Sequence, residues 1–131
     1  MIVVDSSAWI DFLNGRNAHH VRRLRARTDE VIVEDLMLCE VLQGPWQRAG
    51  GSGNRGRAAP FRNCANGRRR DCGRSGASLR SLRRRGITIR KTIDLLIGTW
   101  CIENHTSLLH NDSDFHPMAR YLGLIELPVT P

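Results

Sequence analysis

In the stretch TIDLLIGTW, Thr92 to Trp100, Asp94 is the one charge inside an apolar run. The arrangement recurs in LMLCEVL, where Glu40 is the only charge from Leu36 to Leu42, and in MIVVD, where Asp5 ends an apolar strand. An ionised carboxylate removed from water is costly unless it is paired, hydrogen-bonded or bound to a metal. Lone acids in three apolar frames therefore call for a common explanation. Asp112 and Asp114 follow in the turn NDSDF, directly after the apolar TSLLH. Carboxylates that converge on one place cannot all stay ionised without a cation. Oxygen ligands alone, with no convincing histidine or thiol set, favour Mg²⁺ or Mn²⁺ over zinc.

The elements that must position these acids can be read from periodicity. MIVVD is a short buried strand. Ser6 or Ser7 is the expected N-cap of a helix whose apolar members are Trp9, Ile10 and Leu13 and which Gly15 can close. A second helix is expected from Ala18 to Arg27, a strand over Val31 to Val33, and a helix from Asp35 to Gln43 that carries Glu40. Leu79 to Arg85 reads as the end of a helix stopped by Gly86. From about Arg90 to Asn104 the residues Ile89, Ile93, Leu96, Ile97, Trp100 and Cys101 make a helical stripe with Asp94 at its edge, and Gly98 would leave room beside that acid. Thr106 to His110 is a strand, NDSDF an acidic turn, Pro117 to Leu122 a short helix and GLIEL a closing strand. Strands alternating with helices imply an α/β fold, a parallel sheet with helices on both faces. Ligands of such sheets bind at the carboxyl ends of the strands, where Asp5, Asp112 and Asp114 lie.

The 131 residues suffice for one domain with one core. No window approaches a membrane span, and the N-terminus has no signal-peptide pattern, so a soluble, cytoplasmic protein is expected. Cys39, Cys64, Cys72 and Cys101 form no C-x-x-C pair, and Cys39 and Cys101 stand among expected core residues. The net charge of +7 would suggest nucleic acid, but residues 45–80 hold nine arginines and one acid, leaving the remainder near neutral. That segment also contains seven glycines and no Val, Ile, Leu or Met between Leu42 and Leu79. No helical or strand period can be drawn through it, and a connection this long is unusual inside a compact domain. Two readings fit residues 45–78. One is a GC-rich coding stretch read one base out of frame and then restored, which preserves length. The other is an authentic basic loop that binds RNA.

Each candidate also has a plainer role. Asp5 can cap the following helix, Glu40 can be a salt-bridged helix residue, and Asp94 can be a first-turn acid favoured by the helix dipole. Asp112 or Asp114 can hold a turn through its side chain. Ser7 can be a cap residue. His105, His110 and His116 read as surface or turn residues, Trp9 and Trp100 as core, and Arg83 to Arg85 as a solvated helix face. A response-regulator receiver does not fit, because it needs an adjacent acidic pair, a central phosphoacceptor aspartate and a late-strand lysine, whereas the only lysine is Lys91. Nor is there a helix-turn-helix or ribbon pattern of a DNA-binding antitoxin.

Taken in order, VVDSSAWI, CEVLQG, TIDLLIGTWCIENHTSLLHNDSDF and the closing helix and strand resemble the PIN-domain toxins of the VapC type, over about residues 1–44 and 79–127. The resemblance implies a three-layer α/β/α fold with a short, mostly parallel sheet, and a metal-dependent endoribonuclease of a toxin-antitoxin pair. It places the family's catalytic acids on Asp5, Glu40, Asp94 and Asp112. Asp5, Asp94, Asp112 and Asp114 become the expected Mg²⁺ or Mn²⁺ ligands, and Ser7 the small hydroxyl residue near the metal or its waters. It implies RNA as substrate, cleaved to 5′-phosphate and 3′-hydroxyl ends, a homodimer, and a VapB-type antitoxin whose cationic side chain sits against the carboxylates. Trp9, Ile10 and Leu13, or residues near Val41 and Leu42, are expected to line the antitoxin groove. The alternative is a catalytically impaired PIN-fold protein that binds its antitoxin or RNA.

Overall fold

The computed structural model describes residues 1–27, 30–42, 62–64 and 68–127, with the side chains of Leu38, Val41, Leu42 and 62–64 left aside. Its elements run β1 (Ile2–Val4), α1 (Ser6–Leu13), α2 (His19–Ala26), β2 (Val31–Glu34), α3 (Asp35–Leu42), β3 (Arg62–Cys64), α4 (Arg69–Arg83), α5 (Thr92–Glu103), β4 (Ser107–Leu109), a single 3-10 turn (Ser113–Phe115), α6 (His116–Leu122) and β5 (Glu126–Leu127). The strands form one five-stranded sheet in the order β3-β2-β1-β4-β5, and every pairing is parallel. Parallel strands must be joined by crossovers, and helices supply them here, which accounts for the alternating pattern in the sequence.

The chain runs outward from β1 through β2 to β3, then returns to place β4 on the other side of β1. The reversal opens a crevice at the carboxyl ends of β1 and β4, the place where open α/β sheets bind ligands. Backbone bonding continues past the strands at this point, with the Asp5 N–H donating to the Leu109 carbonyl at 2.9 Å. The core beneath is built from Val3, Val4, Leu108 and Leu109 of the central strands with Leu24, Met37, Leu82, Ile97, Phe115 and Met118 from the helices and turn.

Several expectations change here. The N-cap of α1 is Asp5 itself, neither Ser6 nor Ser7. α5 is enclosed on nearly all sides, with Asp94, Leu95, Ile97, Gly98, Thr99 and Cys101 all buried, so Asp94 lies inside the packed surface and not at the edge of a stripe. Gly98 makes room for a different neighbour: a β-carbon there would come within 2.6 Å of the Met118 sulfur, so glycine is what lets α6 approach α5. Cys101 is buried as expected, but Cys39 is exposed because α3 turns Met37 to the core instead.

The Arg/Gly-rich segment is partly ordered. β3 and the first two-thirds of α4 fall within it, which overturns the expectation that no element could be drawn there. The earlier turns of α4 succeed because their inward side is made of small groups, while Leu82 anchors the end of the helix. Ser75 and Leu82 are its buried residues, the Thr99 hydroxyl donates to Ser78 Oγ at 3.2 Å, and Arg74 pairs with Glu103 of α5. Its arginines face solvent or the rim. At its start, Asp71 accepts from the Arg68 N–H at 3.1 Å. Residues 43–61 and 65–67 lie outside the described residues.

Candidate active site

Asp5 serves two purposes with its two oxygens. Oδ2 caps α1, accepting from the Ser7 N–H at 3.0 Å and the Ser7 hydroxyl at 2.5 Å. Oδ1 is buried and meets no hydrogen-bond donor. The plain capping role is thus met by one oxygen, and the other is left without a partner. Ser7 goes further than a cap: its hydroxyl also accepts from the Asn111 N–H at 3.0 Å, tying the residue after β1 to the turn after β4.

Glu40, on α3, and Asp94, in the first turn of α5, each direct a buried oxygen toward Asp5. Carboxylate oxygens of Asp5, Glu40 and Asp94 lie within 4.8 Å of one another, and so do those of Asp94, Asp112 and Asp114. Asp94 belongs to both groups and joins them into one cluster. Asp112 Oδ1 accepts from the Asp114 N–H at 3.0 Å, which folds the 3-10 turn back and brings the second acid to the site. All five acids read from the sequence therefore meet at the β1–β4 crevice, with Ser7 beside them.

The electrostatics follow from burial and crowding. Desolvation, followed by the charge of Asp5, pushes the Asp94 carboxyl up to about 7 from an ordinary 3.8, against the pull of Lys91. Glu40 is raised by burial as well, which a hydrogen bond from Ser6 only partly offsets. Burial also acts to raise Asp112, but its bonds from Lys91 and from the Asp114 N–H bring it below the usual carboxylate range. The Lys91 ammonium stands 2.8 Å from Asp112 Oδ2 and 3.6 Å from Asp94 Oδ2.

Residues that the sequence left aside also take part. His110, expected at the surface or in a turn, is buried. Its Nδ1 accepts from the Asp112 N–H at 3.2 Å, so the proton must sit on Nε2, which donates to Glu126 Oε1 at 3.0 Å. His116 makes a 2.7 Å bond to the same oxygen. These three side chains are close enough to hold a metal, but the tautomer that the Asp112 N–H selects places a proton where the ligand lone pair would be. They form a hydrogen-bonded brace under the acidic turn. A second brace links α1 and α2, where buried Asp11 takes His20 Nε2 at 2.7 Å and Arg16 at 2.9 Å. Neither was legible, because each pairs a polar residue with a partner that only the fold brings near. Trp9, read as core and also as a residue that helps line an antitoxin groove, is buried in the core, while Ile10 and Leu13 are half-buried. The side chains of Val41 and Leu42 lie outside the described residues.

The sequence matches the PIN domain over residues 2–121. This chain belongs to the PIN-domain family. Solved structures that share its fold over nearly the whole chain include VapBC2 from Rickettsia felis bound to a promoter DNA fragment, at 18% identity and TM-score 0.72, with 97% of this chain and 98% of that one covered. A toxin-antitoxin complex from Klebsiella pneumoniae matches at 16% identity and TM-score 0.70, with 98% of each chain covered. VapBC-1 from nontypeable Haemophilus influenzae matches at 16% identity and TM-score 0.67, with both chains covered completely. No curated protein matches by sequence. Among the described residues, no helix of this PIN domain is long and apolar enough to cross a membrane.

Whether the residues present suit a divalent ion can be judged from their own atoms. Asp5 Oδ1, Glu40 Oε2 and Asp94 Oδ2 are buried and have no hydrogen-bond partner. Buried carboxylate oxygens are normally satisfied, and three without hydrogen bonds, on acids whose oxygens come within 4.8 Å of one another, form an all-oxygen donor set of the kind hard cations take. The residues fit Mg²⁺ or Mn²⁺.

Proposed function

We propose that this PIN domain is a metal-dependent endoribonuclease of the VapC type, hydrolysing phosphodiester bonds of RNA, and that a small VapB-like antitoxin restrains it. The observation that carries the reading is the set of open, buried carboxylate oxygens at the switch point of a PIN fold. Asp5, Asp94, Asp112 and Asp114 would hold the divalent ion, with Glu40 completing the acidic floor beside Asp5. When bound, such an ion supplies the positive charge that lowers the pKa of an attacking water and offsets charge building on the leaving oxygen.

The remaining work falls to the chain. Ser7 fixes the rotamer of Asp5 and holds the β4 turn against it, so two ligands on separate strands keep a constant separation. Asp112 orients Asp114 through its N–H bond. Glu40, beside Asp5 and outside the proposed ligand set, is placed to take a proton from water at the cluster. No covalent protein intermediate is required. An RNA strand unpaired in a loop can bring its backbone into the open crevice. The antitoxin reading is supported by the toxin-antitoxin complexes among the matched structures and by a carboxylate cluster that a partner's arginine or lysine would neutralise. The homodimer follows from the same resemblance, and cytoplasmic RNA is the target that a soluble chain would reach.

The test is RNA cleavage by the purified chain with and without chelator. EDTA is expected to abolish cleavage and Mg²⁺ or Mn²⁺ to restore it, and undiminished cleavage in EDTA would remove the carboxylate-metal account. Asp94→Asn is expected to lose cleavage while melting at least as high as the unsubstituted chain.

A further inference from the structure

The single lysine of a chain whose Lys and Arg together number 20 stands at the acidic cluster. Resting on the metal-site reading above, we infer that Lys91 is the chain's built-in counter-ion for the Asp94–Asp112 half of the cluster, and that a divalent ion must displace its ammonium to bind there.

Three observations carry this. Lys91 immediately precedes α5 as its N-cap residue, so its backbone position is fixed by the same helix that carries Asp94. Its Nζ reaches Asp112 Oδ2 at 2.8 Å and stands 3.6 Å from Asp94 Oδ2, while those two acids, with Asp114, are also one of the groups close enough to share a metal ion. The ammonium is thus within contact of the oxygens an ion would use. Finally, the lysine side chain is 58% exposed whereas that of Asp94 is 5% exposed. The acid cannot leave, but the lysine can swing into solvent without opening the core.

The residue type suits such an exchange. Arginine grips a carboxylate through a planar two-point fork, whereas lysine offers a compact charge on a flexible stem and a single point of contact. A monovalent cation of that kind prevents the acids from repelling one another in the metal-free chain and yields to a divalent one. Metal affinity is then set by exchange against Lys91, and the site fills only above a threshold of free metal. The ammonium freed at the rim is left positioned beside whatever polyanion enters the crevice.

Calorimetric titration of Mn²⁺ into chelator-treated full-length protein tests the exchange, using the unsubstituted chain, Lys91→Met and Arg90→Met. Arg90 is exposed and one residue away, so its substitution removes an equal charge without touching the acids. Lys91→Met is expected to bind Mn²⁺ about ten-fold more tightly, and Arg90→Met within about two-fold of the unsubstituted chain, since a contact charge outweighs one screened by solvent. Equal or weaker binding by Lys91→Met would overturn the inference, and so would an equal gain in Arg90→Met. Absence of Mn²⁺ binding in all three would overturn the metal reading itself, and the exchange with it. A second measurement needs no substitution. Acylation of Lys91 by a small amine reagent, followed by peptide mass spectrometry, is expected to speed up several-fold when Mn²⁺ saturates the site. An unchanged rate while Mn²⁺ binds would defeat displacement and leave the metal site standing.

Discussion

Asp94 is the residue whose environment constrains it most. Its folded-state carboxyl sits near 7 while an unfolded one sits near 3.8, so between those values the folded, metal-free chain keeps a proton that the unfolded chain has released. Stability is then highest below the lower value and falls as pH rises toward the upper one. Glu40, also raised, acts in the same direction, and Asp112, lowered, acts in the opposite one at more acidic pH. Thermal melts in EDTA are expected to show the unsubstituted chain losing stability from about pH 4 to about pH 7. Asp94→Asn should be much flatter and ahead by a few kcal/mol, because holding a proton across each pH unit between the unfolded and folded values costs about 1.4 kcal/mol. Equal slopes in the two proteins would show that Asp94 is not the group that titrates. At this scale the sequence was informative, because a lone acid in an apolar run is anomalous on its own terms. Asp5, Glu40 and Asp94 were read that way, and Asp112 and Asp114 from their place in the turn after an apolar strand. His110 was not, since a histidine after an apolar strand is unremarkable until Glu126, sixteen residues on, is folded against it.

The elements were legible where burial depends on large apolar side chains and hidden where it depends on small ones. β1, β2, β4 and the helices around them follow the expected pattern to within a few residues. The end of α4, from Leu79, was legible, but its earlier turns escaped notice because Ser75 and Ser78 are their inward-facing groups, and serines do not register as a hydrophobic stripe. Close approach of α5 and α6 likewise rests on a missing side chain. Gly98→Ala is expected to lower the melting temperature, because the added methyl meets the sulfur of fully buried Met118, overpacking worth about 1 to 3 kcal/mol. In a Met118→Ala background the same change should raise it, since alanine is favoured over glycine within a helix by about 1 kcal/mol. A double-mutant cycle by denaturant unfolding measures that reversal of sign, and additive effects would refute the contact.

For the molecule as a whole, α4 carries an unsatisfied polar group into the packed interior. The Ser75 hydroxyl is buried there without a hydrogen-bond partner. Ser75→Ala is expected to stabilise the chain by about 1 kcal/mol, removing an unsatisfied hydroxyl and improving helix propensity, and thermal melting checks it; a lower melting temperature would show that the hydroxyl is satisfied after all. The two readings of residues 45–78 are separated by peptide mass mapping of purified protein. Fragments whose masses match this Arg/Gly-rich sequence, from a sample that melts cooperatively, would retain the segment as an authentic basic surface, whereas mismatched masses confined to it would identify a shifted frame.

The side-by-side pairing of β1 with β4 has a consequence for the order of events at synthesis. The cluster draws on residue 5 and on residues 112 and 114, more than a hundred positions apart, and they become neighbours only when Val4 and Leu109 are aligned in the sheet. A growing chain can make α1, α2 and β2 early, but it cannot assemble the carboxylates until β4 and the turn after it have been made. Whatever the cluster does, it cannot do before that point of translation, and a chain cut short before β4 would lack the assembled cluster.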